Sequence, residues 1–304
     1  MKKDILTLAE FEASDFKMLF DRAFELKKRH RQGIVETTLS DKTVGLIFEK
    51  KSTRTRVSFE AAVAQLGGVP LFISAADTQL ARNEPVCDTA RVLSRYLDAL
   101  VLRTYSQQTI VDFGKYCDIP VINALSDMYH PCQVLSDLMT VIEYKKDLEN
   151  LTVAWIGDGN NMAHSWINAA AVLGFRLKLA CPKGFAPDRD VLGRAAARPG
   201  AEIILSHDPV EAVSDADVVN TDVWASMGQE DEAETRKQVF MPFQVNAGLM
   251  AHAAEDAIVM HCLPAHRGEE ITGEVLEGGQ SVVWDQAENK LHMHKAVLDV
   301  LIAR

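Results

Sequence analysis

Residues suited to binding a phosphate group occur at positions 52–56, where the sequence reads Ser-Thr-Arg-Thr-Arg. They lie between a predicted strand at 43–48 and a predicted helix at 54–66. The amino end of a helix presents unpaired N–H groups and the positive pole of the helix dipole, and Arg54 adds a planar fork of donors. The segment lacks the Gly-Lys-Ser/Thr ending of a P-loop. It indicates a phosphate site of another kind, although an ordinary serine cap with exposed basic neighbours gives the same pattern.

Further candidate side chains lie next to the ends of predicted strands or the starts of predicted helices. They are of types that stabilise charge or move protons, and they are Arg103, His130, Asp222 and Cys262. Because ligands bind beyond the carboxyl ends of parallel strands, we expect Arg103 and His130 to meet residues 52–55 in one crevice. Taken singly, each side chain also fits a structural role, such as a surface salt bridge, a helix start or a buried thiol.

These side chains are positioned by an alternation of short apolar runs and longer helical patterns. The predicted strands are 43–48, 69–73, 99–102, 120–123, 151–156, 177–180, 202–205, 217–220, 258–260 and 281–284. The predicted helices include 54–66, 89–97, 133–144, 162–173 and 286–302. Strands that alternate with helices predict parallel sheets covered by helices. The predicted fold class is therefore α/β, with two doubly wound domains, each a mainly parallel sheet with helices on both faces.

The polar segment 145–150 (Lys-Lys-Asp-Leu-Glu-Asn) is the predicted domain boundary. It gives a first domain at 1–147 and a second at 148–286, which suits a chain of 304 residues because domains usually hold about 100–200 residues. Periodicity alone does not decide which domain the last helix packs on.

Composition restricts the kinds of partner. The formal net charge of −11 argues against nucleic acid, whose binding proteins usually carry a basic face. No apolar stretch has the length of a signal peptide or a membrane span, so no membrane partner is expected.

The cysteines indicate a reducing compartment, for which the cytoplasm is the default. They are odd in number and form no Cys-x-x-Cys pair: Cys87, Cys117, Cys132, Cys181 and Cys262. His261 and His266 do not have a recognised zinc spacing. We therefore expect no metal and no organic cofactor.

Four motifs in order resemble those of the aspartate/ornithine carbamoyltransferase family, and the resemblance covers essentially the whole chain. They are Ser-Thr-Arg-Thr-Arg at 52–56, His130-Pro131-Cys132-Gln133, Asp222 with Ser226-Met227-Gly228, and His261-Cys262-Leu263-Pro264. The resemblance implies transfer of a carbamoyl group from carbamoyl phosphate to an amine. The loop at Asp222 is similar to the family's ornithine-specific loop, so the implied products are L-citrulline and phosphate, and the implied pathway is arginine biosynthesis.

The resemblance also implies a carbamoyl phosphate site, mainly on the domain at 1–147, with three further residues from the second half of the chain. Its residues are Ser52, Thr53, Arg54, Thr55, Gln79, Arg103, His130, Gln133, Cys262, Leu263 and Lys290. Arg54, Thr55, Arg103 and His130 stabilise the carbamoyl oxygen in this interpretation, and Gln133 binds the carbamoyl amide. The loop around Gln79 reaches the site of a neighbouring subunit in a homotrimer. The final helix, 287–304, is expected to pack back on the first domain.

The implied L-ornithine site belongs to the domain at 148–286 and contains Asn161, Asp222, Ser226 and Met227. The Asp222 carboxylate holds the cationic δ-amine, and Cys262 lies beside it. Arg54, Arg103, His130, Asp222 and Cys262 are the predicted catalytic residues. Cys262 need not act as a covalent nucleophile, because carbamoyl phosphate is already an activated donor that a neutral amine attacks directly. The chemistry is expected to run between the two domains, with closure that excludes water.

The sequence departs from the family pattern at three positions. Lys290 stands where arginine is more usual, which keeps the charge but loses the bidentate fork. Ala81 and Asn83 replace glycines in the loop near Gln79, which reduces the freedom of its backbone.

Three alternatives remain open from the residues. Another amine, such as putrescine or N-acetylornithine, could be the acceptor. The glycines at 157 and 159 suggest a nicotinamide-dependent oxidoreductase, although the third glycine of Gly-x-Gly-x-x-Gly is Met162. A binding protein for a phosphorylated amino-acid metabolite, without turnover, would show similar motifs.

Overall fold

The computed structural model describes residues 3–74, 78, 84–225 and 233–303. The chain divides into two compact units. Unit 1 contains Met1–Met139 together with Glu288–Arg304, and unit 2 contains Thr140–Ala287. The final residues of the chain therefore belong with its first half.

Strands and helices alternate along the described chain. The strands are β1 (Thr43–Phe48), β2 (Val69–Ser74), β3 (Ala99–Arg103), β4 (Val121–Leu125), β5 (Thr152–Ile156), β6 (Arg176–Ala180), β7 (Ile203–Ser206), β8 (Val218–Thr221) and β9 (Ile258–His261). The helices are α1 (Ala13–Arg31), α2 (Arg54–Gln65), α3 (Val86–Leu93), α4 (Gln107–Tyr116), α5 (Pro131–Lys145), α6 (Asn161–Leu173), α7 (Arg189–Ala196), α8 (Pro209–Val213), α9 (Ala233–Phe240), α10 (Ala247–Met250), α11 (Gly273–Leu276) and α12 (Val283–Ile302).

Unit 1 contains a four-stranded sheet in the order β2-β1-β3-β4, and its strands pair in parallel. The chain runs from β1 outward to β2 and then returns to β3 on the other side of β1. The order therefore reverses between β1 and β3. Such a switch point opens a crevice beyond the carboxyl ends of the two strands, where ligands bind in open α/β sheets.

Unit 2 contains a five-stranded parallel sheet in the order β7-β6-β5-β8-β9. Here the chain moves outward from β5 to β7 and then returns to β8 on the opposite side of β5. The switch point therefore lies between β5 and β8. The predicted α/β class with two doubly wound parallel sheets is confirmed.

The central strands are buried because helices cover the sheets. All five residues of β3 and all five of β5 are buried, as expected for parallel strands enclosed between helices. An apolar cluster of unit 2 joins β5, β8 and β9 to α8, α10 and α11. No helix in the described ranges combines the length and the apolar character that a bilayer crossing requires.

Two predicted elements differ from the structure. The predicted strand at 281–284 is wrong, because α12 already begins at Val283 and Ser281 makes an isolated bridge to Val259. Its valines bury themselves at the start of a helix, where the Gln286 N–H bonds to the Val282 carbonyl. The predicted helix at 89–97 begins three residues earlier, directly after Pro85, and ends at Leu93. Helix α1 was not predicted.

Candidate active site

The loop between β1 and α2 lies at the switch point of unit 1. Thr53 is the N-cap of α2 but its side chain makes no capping bond, whereas the Thr55 N–H donates to Ser52 Oγ at 3.2 Å. Thr55 is buried, and Ser52 and Arg54 are partly exposed. The first turn of α2 thus presents backbone N–H groups, hydroxyls and a guanidinium group at this edge of the sheet.

Lys290 of α12 connects this turn to α5. Its Nζ donates to Thr55 Oγ1 at 3.0 Å and to Gln133 Oε1 at 2.7 Å. Gln133 in turn donates from Nε2 to Asp137 Oδ1 at 2.8 Å. Lys290 is only 5 % exposed, so its positive charge is buried inside unit 1, next to the candidate phosphate-binding turn. Such a charge favours an anionic ligand, because attraction strengthens where water is excluded.

Arg103 and His130 complete the cationic region of unit 1. Arg103 ends β3 and aligns with Phe48 of β1, so it stands at the same switch point. His130 immediately precedes α5, and both side chains are buried. Burial lowers the pKa of His130 well below its usual value, and the charges of Lys290 and Arg103 lower it further. His130 is therefore a neutral imidazole at pH 7, suited to donating a hydrogen bond rather than adding charge.

A second contact from α12 supports the first turn of α2. His294 Nδ1 lies 3.0 Å from Ser58 Oγ, and the Ser58 hydroxyl donates to the Thr55 carbonyl at 3.1 Å. The His294 ring stacks on Phe59 with ring centroids 3.6 Å apart. Since the Ser58 hydroxyl has one proton, Nδ1 of His294 is the donor in the first bond. Lys290 and His294, one turn apart on α12, thus hold the turn that carries Thr55.

In unit 2 the carboxylate of Asp222 occupies the switch point. It follows β8 and is held by three donors: Asn160 Nδ2 at 3.0 Å, the Val223 N–H at 2.8 Å and Cys262 Sγ at 3.1 Å. Asn160 is the N-cap of α6, and its Oδ1 accepts from the N–H groups of Met162 and Ala163. The capping residue therefore fixes the end of α6 and the orientation of Asp222 together.

The loop at 261–264 after β9 is held by His261. The Leu263 N–H donates to His261 Nδ1 at 2.8 Å, and His261 Nε2 lies 2.9 Å from Glu270 Oε1. Because Nδ1 accepts, the proton of the neutral ring is on Nε2 and points to Glu270. Leu263 has a φ of +59°, an uncommon conformation for leucine that these bonds stabilise. The loop places Cys262 against Asp222.

A buried ion pair fixes the loops around Asp222. Arg236 of α9 donates to Asp158 Oδ2 and to the Trp224 carbonyl, each at 2.5 Å, and its guanidinium group lies over Phe185 and Phe240. Burial raises the pKa of Asp158 to about 6; Arg236 opposes this rise and Asp222 adds to it. Asp158 and Trp224 lie on either side of the switch point, so Arg236 clamps them together.

Gly159 is required where this loop meets the segment at 185–187. A Cβ atom at position 159 would lie 2.2 Å from the Pro187 nitrogen, a distance that real Cβ atoms do not reach. Gly159 therefore serves close packing of loops, and Gly157 has a φ of +132°, which favours glycine. Neither glycine by itself indicates a dinucleotide.

The predicted site residues fall into two groups. Ser52, Thr53, Arg54, Thr55, Arg103, His130, Gln133 and Lys290 belong to unit 1, and Asn161, Asp222, Cys262 and Leu263 to unit 2. Within unit 2, Asp222 and Cys262 touch, and Asn161 begins α6 next to the Asn160 cap. Gln79, Ser226 and Met227, and the departures at Ala81 and Asn83, lie outside the described residues.

Among the residues that the structure describes, two groups of side chains bring potential metal-ligating atoms close together. They are Asp222, His261 and Cys262, and His266, Glu269 and Glu270. In the first group both ring nitrogens of His261 already bond, one to Leu263 and one to Glu270. An ion would have to break one of these bonds to use that histidine.

Several residues of the site were not predicted from the sequence. Asn160 carried a signal, because asparagine before a helix is a favoured N-cap. Asp137 also carried one, since it lies four residues after Gln133 on a predicted helix and so shares its face. The partnerships of Arg236 with Asp158 and of His294 with Ser58 join distant parts of the chain, and a single sequence gives no signal for them.

Comparison with known proteins identifies one family over both halves of the chain. Residues 3–143 match the carbamoyl-P binding domain of aspartate/ornithine carbamoyltransferases, and residues 149–301 match their Asp/Orn binding domain. The chain is 56 % identical over 302 residues to an ornithine carbamoyltransferase of Syntrophus aciditrophicus, covering 99 % of this chain and 100 % of that protein.

Solved structures give the same result. An ornithine carbamoyltransferase from Pyrococcus furiosus is 50 % identical and superposes with a TM-score of 0.95, covering 98 % of this chain and 96 % of that one. An anabolic ornithine carbamoyltransferase from Campylobacter jejuni is 44 % identical, with a TM-score of 0.93 and 99 % of both chains covered. The predicted family is confirmed: the chain belongs to the aspartate/ornithine carbamoyltransferase family.

Proposed function

We propose that the chain transfers the carbamoyl group of carbamoyl phosphate to the δ-amine of L-ornithine, forming L-citrulline and phosphate, and that this reaction serves arginine biosynthesis. One observation carries the choice of acceptor. The switch point of unit 2 presents the Asp222 carboxylate, held by Asn160, Val223 and Cys262, and a carboxylate binds a cationic amine. A dicarboxylate acceptor such as aspartate would be repelled there.

Unit 1 supplies the carbamoyl phosphate site in this proposal, which extends over the predicted domain 1–147 and the final helix. The first turn of α2, with Ser52, Thr53, Arg54 and Thr55, binds the phosphate group. Arg103 and the neutral His130 donate to the carbamoyl oxygen, where negative charge grows in the tetrahedral transition state. Lys290 adds a fixed charge beside Thr55.

Unit 2 supplies the ornithine site, within the predicted domain 148–286. Asp222 holds the amine end of the acceptor, and Asn161, Ser226 and Met227 bind its amino-acid end. The δ-amine has a solution pKa near that of lysine, about 10.4, so it must lose a proton before it attacks. We expect activity to rise with pH above neutrality, and a flat profile between about pH 7 and 9 would contradict this expectation.

The contacts of Cys262 support a role that needs no covalent intermediate. Its thiol points to Asp222 Oδ1 at 3.1 Å, so it helps to orient the carboxylate that receives the amine. The Leu263 backbone, fixed by His261, offers its carbonyl group to carbamoyl phosphate in this proposal, as the family resemblance implies.

A homotrimeric assembly is part of the proposal. Strand β2 forms an edge of the sheet in unit 1 and exposes Val69 and Leu71, and Val57 of α2 is exposed as well. Exposed apolar groups of this kind mark protein interfaces. Size-exclusion chromatography with light scattering should give three times the 33.6 kDa chain mass, and Leu71→Glu should lower it. A monomeric parent protein would refute the assembly but not the reaction.

The cytoplasm is the proposed compartment. All five cysteines lie in the described part of the chain and are thiols without a disulfide, which supports a reducing compartment.

The reaction is tested by measuring citrulline formed from carbamoyl phosphate and ornithine. Arg54→Ala should remove nearly all activity, because the first turn of α2 loses its planar donor. Arg56→Ala is the matched control, since Arg56 pairs with Glu60 at 3.0 Å and lies over Phe72, and it should retain most activity. No citrulline from a folded parent protein would refute the proposal.

The acceptor is tested separately by comparing ornithine, putrescine and N-acetylornithine under the same conditions. Ornithine should have the highest kcat/KM. If putrescine or N-acetylornithine were turned over faster, the family and the donor site would stand but the acceptor would be wrong. Binding of substrates without any turnover would instead indicate a binding protein.

A further inference from the structure

The side-chain amide of Gln133 lies between two charged groups of unit 1. Its Oε1 accepts from Lys290 Nζ at 2.7 Å, and its Nε2 donates to Asp137 Oδ1 at 2.8 Å. Gln133 is 2 % exposed and Asp137 is fully buried. The amide is therefore held at both ends, away from water that could satisfy it in another orientation.

Chemistry fixes which end of the amide faces which partner. A lysine ammonium group has donors and no acceptor, so it must face the carbonyl oxygen. An ionised carboxylate has acceptors and no donor, so it must face the NH₂ group. Reversing the amide would set donor against donor at Lys290 and acceptor against acceptor at Asp137. A reversed amide would thus lose both bonds at once, and buried groups left unpaired are costly.

In this fixed orientation, the carbonyl oxygen of Gln133 faces the candidate phosphate-binding turn. Lys290 Nζ bonds Gln133 Oε1 and Thr55 Oγ1 together, so Oε1 lies beside the first turn of α2. A carbonyl oxygen has two acceptor positions, and Lys290 uses one of them. The NH₂ end is turned along α5 towards Asp137.

We propose that Asp137 is a positioning residue that makes the site selective for carbamoyl phosphate over acyl phosphates without an amide, such as acetyl phosphate. This inference rests on the proposed function. Asp137 acts through Gln133: by holding Nε2, it keeps Oε1 turned to accept a hydrogen bond from the carbamoyl NH₂ group. The methyl group of acetyl phosphate has no such donor, and sites that pair a polar group discriminate strongly against analogues lacking it.

A purely structural role for Asp137 makes a different prediction. Asp137 and Gln133 lie four residues apart on α5, and such pairs also stabilise helices. If that were its whole role, removing the charge would disturb the pocket in general and weaken both acyl phosphates alike. The ratio of the two affinities therefore separates positioning from structural support.

The experiment measures Kd for carbamoyl phosphate and for acetyl phosphate by calorimetry, without ornithine, on the full chain. The test variant is Asp137→Asn, which replaces the charge-assisted bond to Nε2 with a weaker neutral one and leaves Lys290 as the main group that holds the amide. We expect the Kd of carbamoyl phosphate to rise about fivefold and that of acetyl phosphate to stay within about twofold, the scale of one hydrogen bond. Glu143→Gln, an exposed carboxylate on the same helix, should change neither.

A second variant tests that the effect passes through Gln133. Gln133→Met removes both ends of the amide at similar volume and should lower the selectivity at least as far. Adding Asp137→Asn to it should cause no further loss of selectivity, because the residue that Asp137 positions is absent. Further loss in the double variant would overturn the proposal.

The remaining outcomes are also decisive. Equal weakening of both ligands, or no change, in a folded Asp137→Asn protein would overturn the positioning role. If Asp137→Asn did not fold, two other results would still overturn the positioning role. One is a parent protein that binds acetyl phosphate as tightly as carbamoyl phosphate. The other is a Gln133→Met protein with the same selectivity as the parent. Since these measurements need no acceptor, they stand apart from the citrulline assay, whose failure would refute the proposed function itself.

Discussion

The switch points of the two sheets share a topology but carry opposite charge. In unit 1 the edge between β1 and β3 gathers Arg103, Lys290 and the first turn of α2, with His130 kept neutral. In unit 2 the edge between β5 and β8 presents the carboxylate of Asp222. The same topology thus presents cationic groups in one unit and a carboxylate in the other, and side chains, not topology, decide which ligand each site suits.

The two sites also differ in how their key groups are held. Lys290 and His294 of unit 1 reach the α2 turn from a helix at the far end of the chain. In unit 2 the capping residue Asn160, the neighbouring Val223 and the thiol of Cys262 hold Asp222 from adjacent strand ends. Removing one residue should therefore affect one substrate and leave the other unchanged.

The largest effect is expected from Asp222→Asn. The variant keeps the shape of the side chain but loses the charge that pairs with the amine, so kcat/KM for ornithine should fall by about 10³-fold. The Kd of carbamoyl phosphate should stay within about twofold of the parent value, because the residues proposed to bind its phosphate group belong to unit 1. Steady-state kinetics and calorimetry measure the two effects. Equal losses for both substrates would show that the sites are not separable in this way.

The next effect concerns stability. Arg236→Met leaves Asp158 buried without its cation, so the free energy of unfolding should fall by about 3 kcal/mol. In unit 1, Arg22→Met breaks the pair with Asp299, which is more exposed, and should cost less than about 1 kcal/mol. Urea unfolding compares the two variants. Similar losses would mean that burial does not distinguish these pairs.

Asp158 sharpens this prediction through pH. Because burial already raises its pKa to about 6, Asp158 without Arg236 should take up a proton more readily and relieve part of the cost. The destabilisation by Arg236→Met should therefore be smaller at pH 5 than at pH 8, whereas that of Arg22→Met should change little.

A smaller contrast is expected in acid sensitivity. Burial lowers the pKa of His292 to about 4, and burial also lowers those of His130 and His294, so these folded-state imidazoles resist protonation. As pH falls, these histidines take up protons in the unfolded chain at a higher pH than in the folded protein. Unit 1 should therefore lose stability as pH falls from 6.5 towards 4. Asp158 works in the opposite direction, since its raised pKa means that stability is lost as pH rises through about 6.

Hydrogen exchange resolved by peptide, corrected for intrinsic rates, measures this contrast. Between pH 7 and pH 5, protection should fall more in unit 1 than in unit 2. His292→Phe should reduce the fall in unit 1 because it removes one of the resisting groups. An equal or larger fall in unit 2 would contradict the prediction.

Local sequence patterns predicted the elements of the fold better than the contacts that orient the site residues. Strand β1 and helix α6 could be located because an apolar run and a helical pattern ended by Gly174 are local signals. The α/β class followed from their alternation. The strand predicted at 281–284 failed because valines at a helix start give the same apolar signal as a buried strand.

For the sites, strand ends pointed to Arg103 and Asp222, whereas the partners that orient them depend on tertiary contacts. No local sequence pattern predicts that Lys290 contacts Thr55, 235 positions earlier in the chain, or that Arg236 contacts Asp158. Such pairs form only when distant elements pack together, so they cannot be predicted from the pattern of a single sequence.

The smallest predicted effect tests the departure at position 290. Lys290 Nζ serves Thr55 and Gln133 as a single point of charge, whereas an arginine fork could hold the same two oxygens and keep further donors for a phosphate. Lys290→Arg should lower the KM of carbamoyl phosphate by about threefold and leave the KM of ornithine unchanged, and initial-rate kinetics with each substrate varied in turn measure both. The matched control, Lys295→Arg, changes another buried lysine of α12 in unit 1 that lies one residue beyond His294, and it should not lower the KM. A higher KM for Lys290→Arg would contradict this expectation. It would show that the space between Thr55 and Gln133 accommodates the smaller ammonium group better than a guanidinium group.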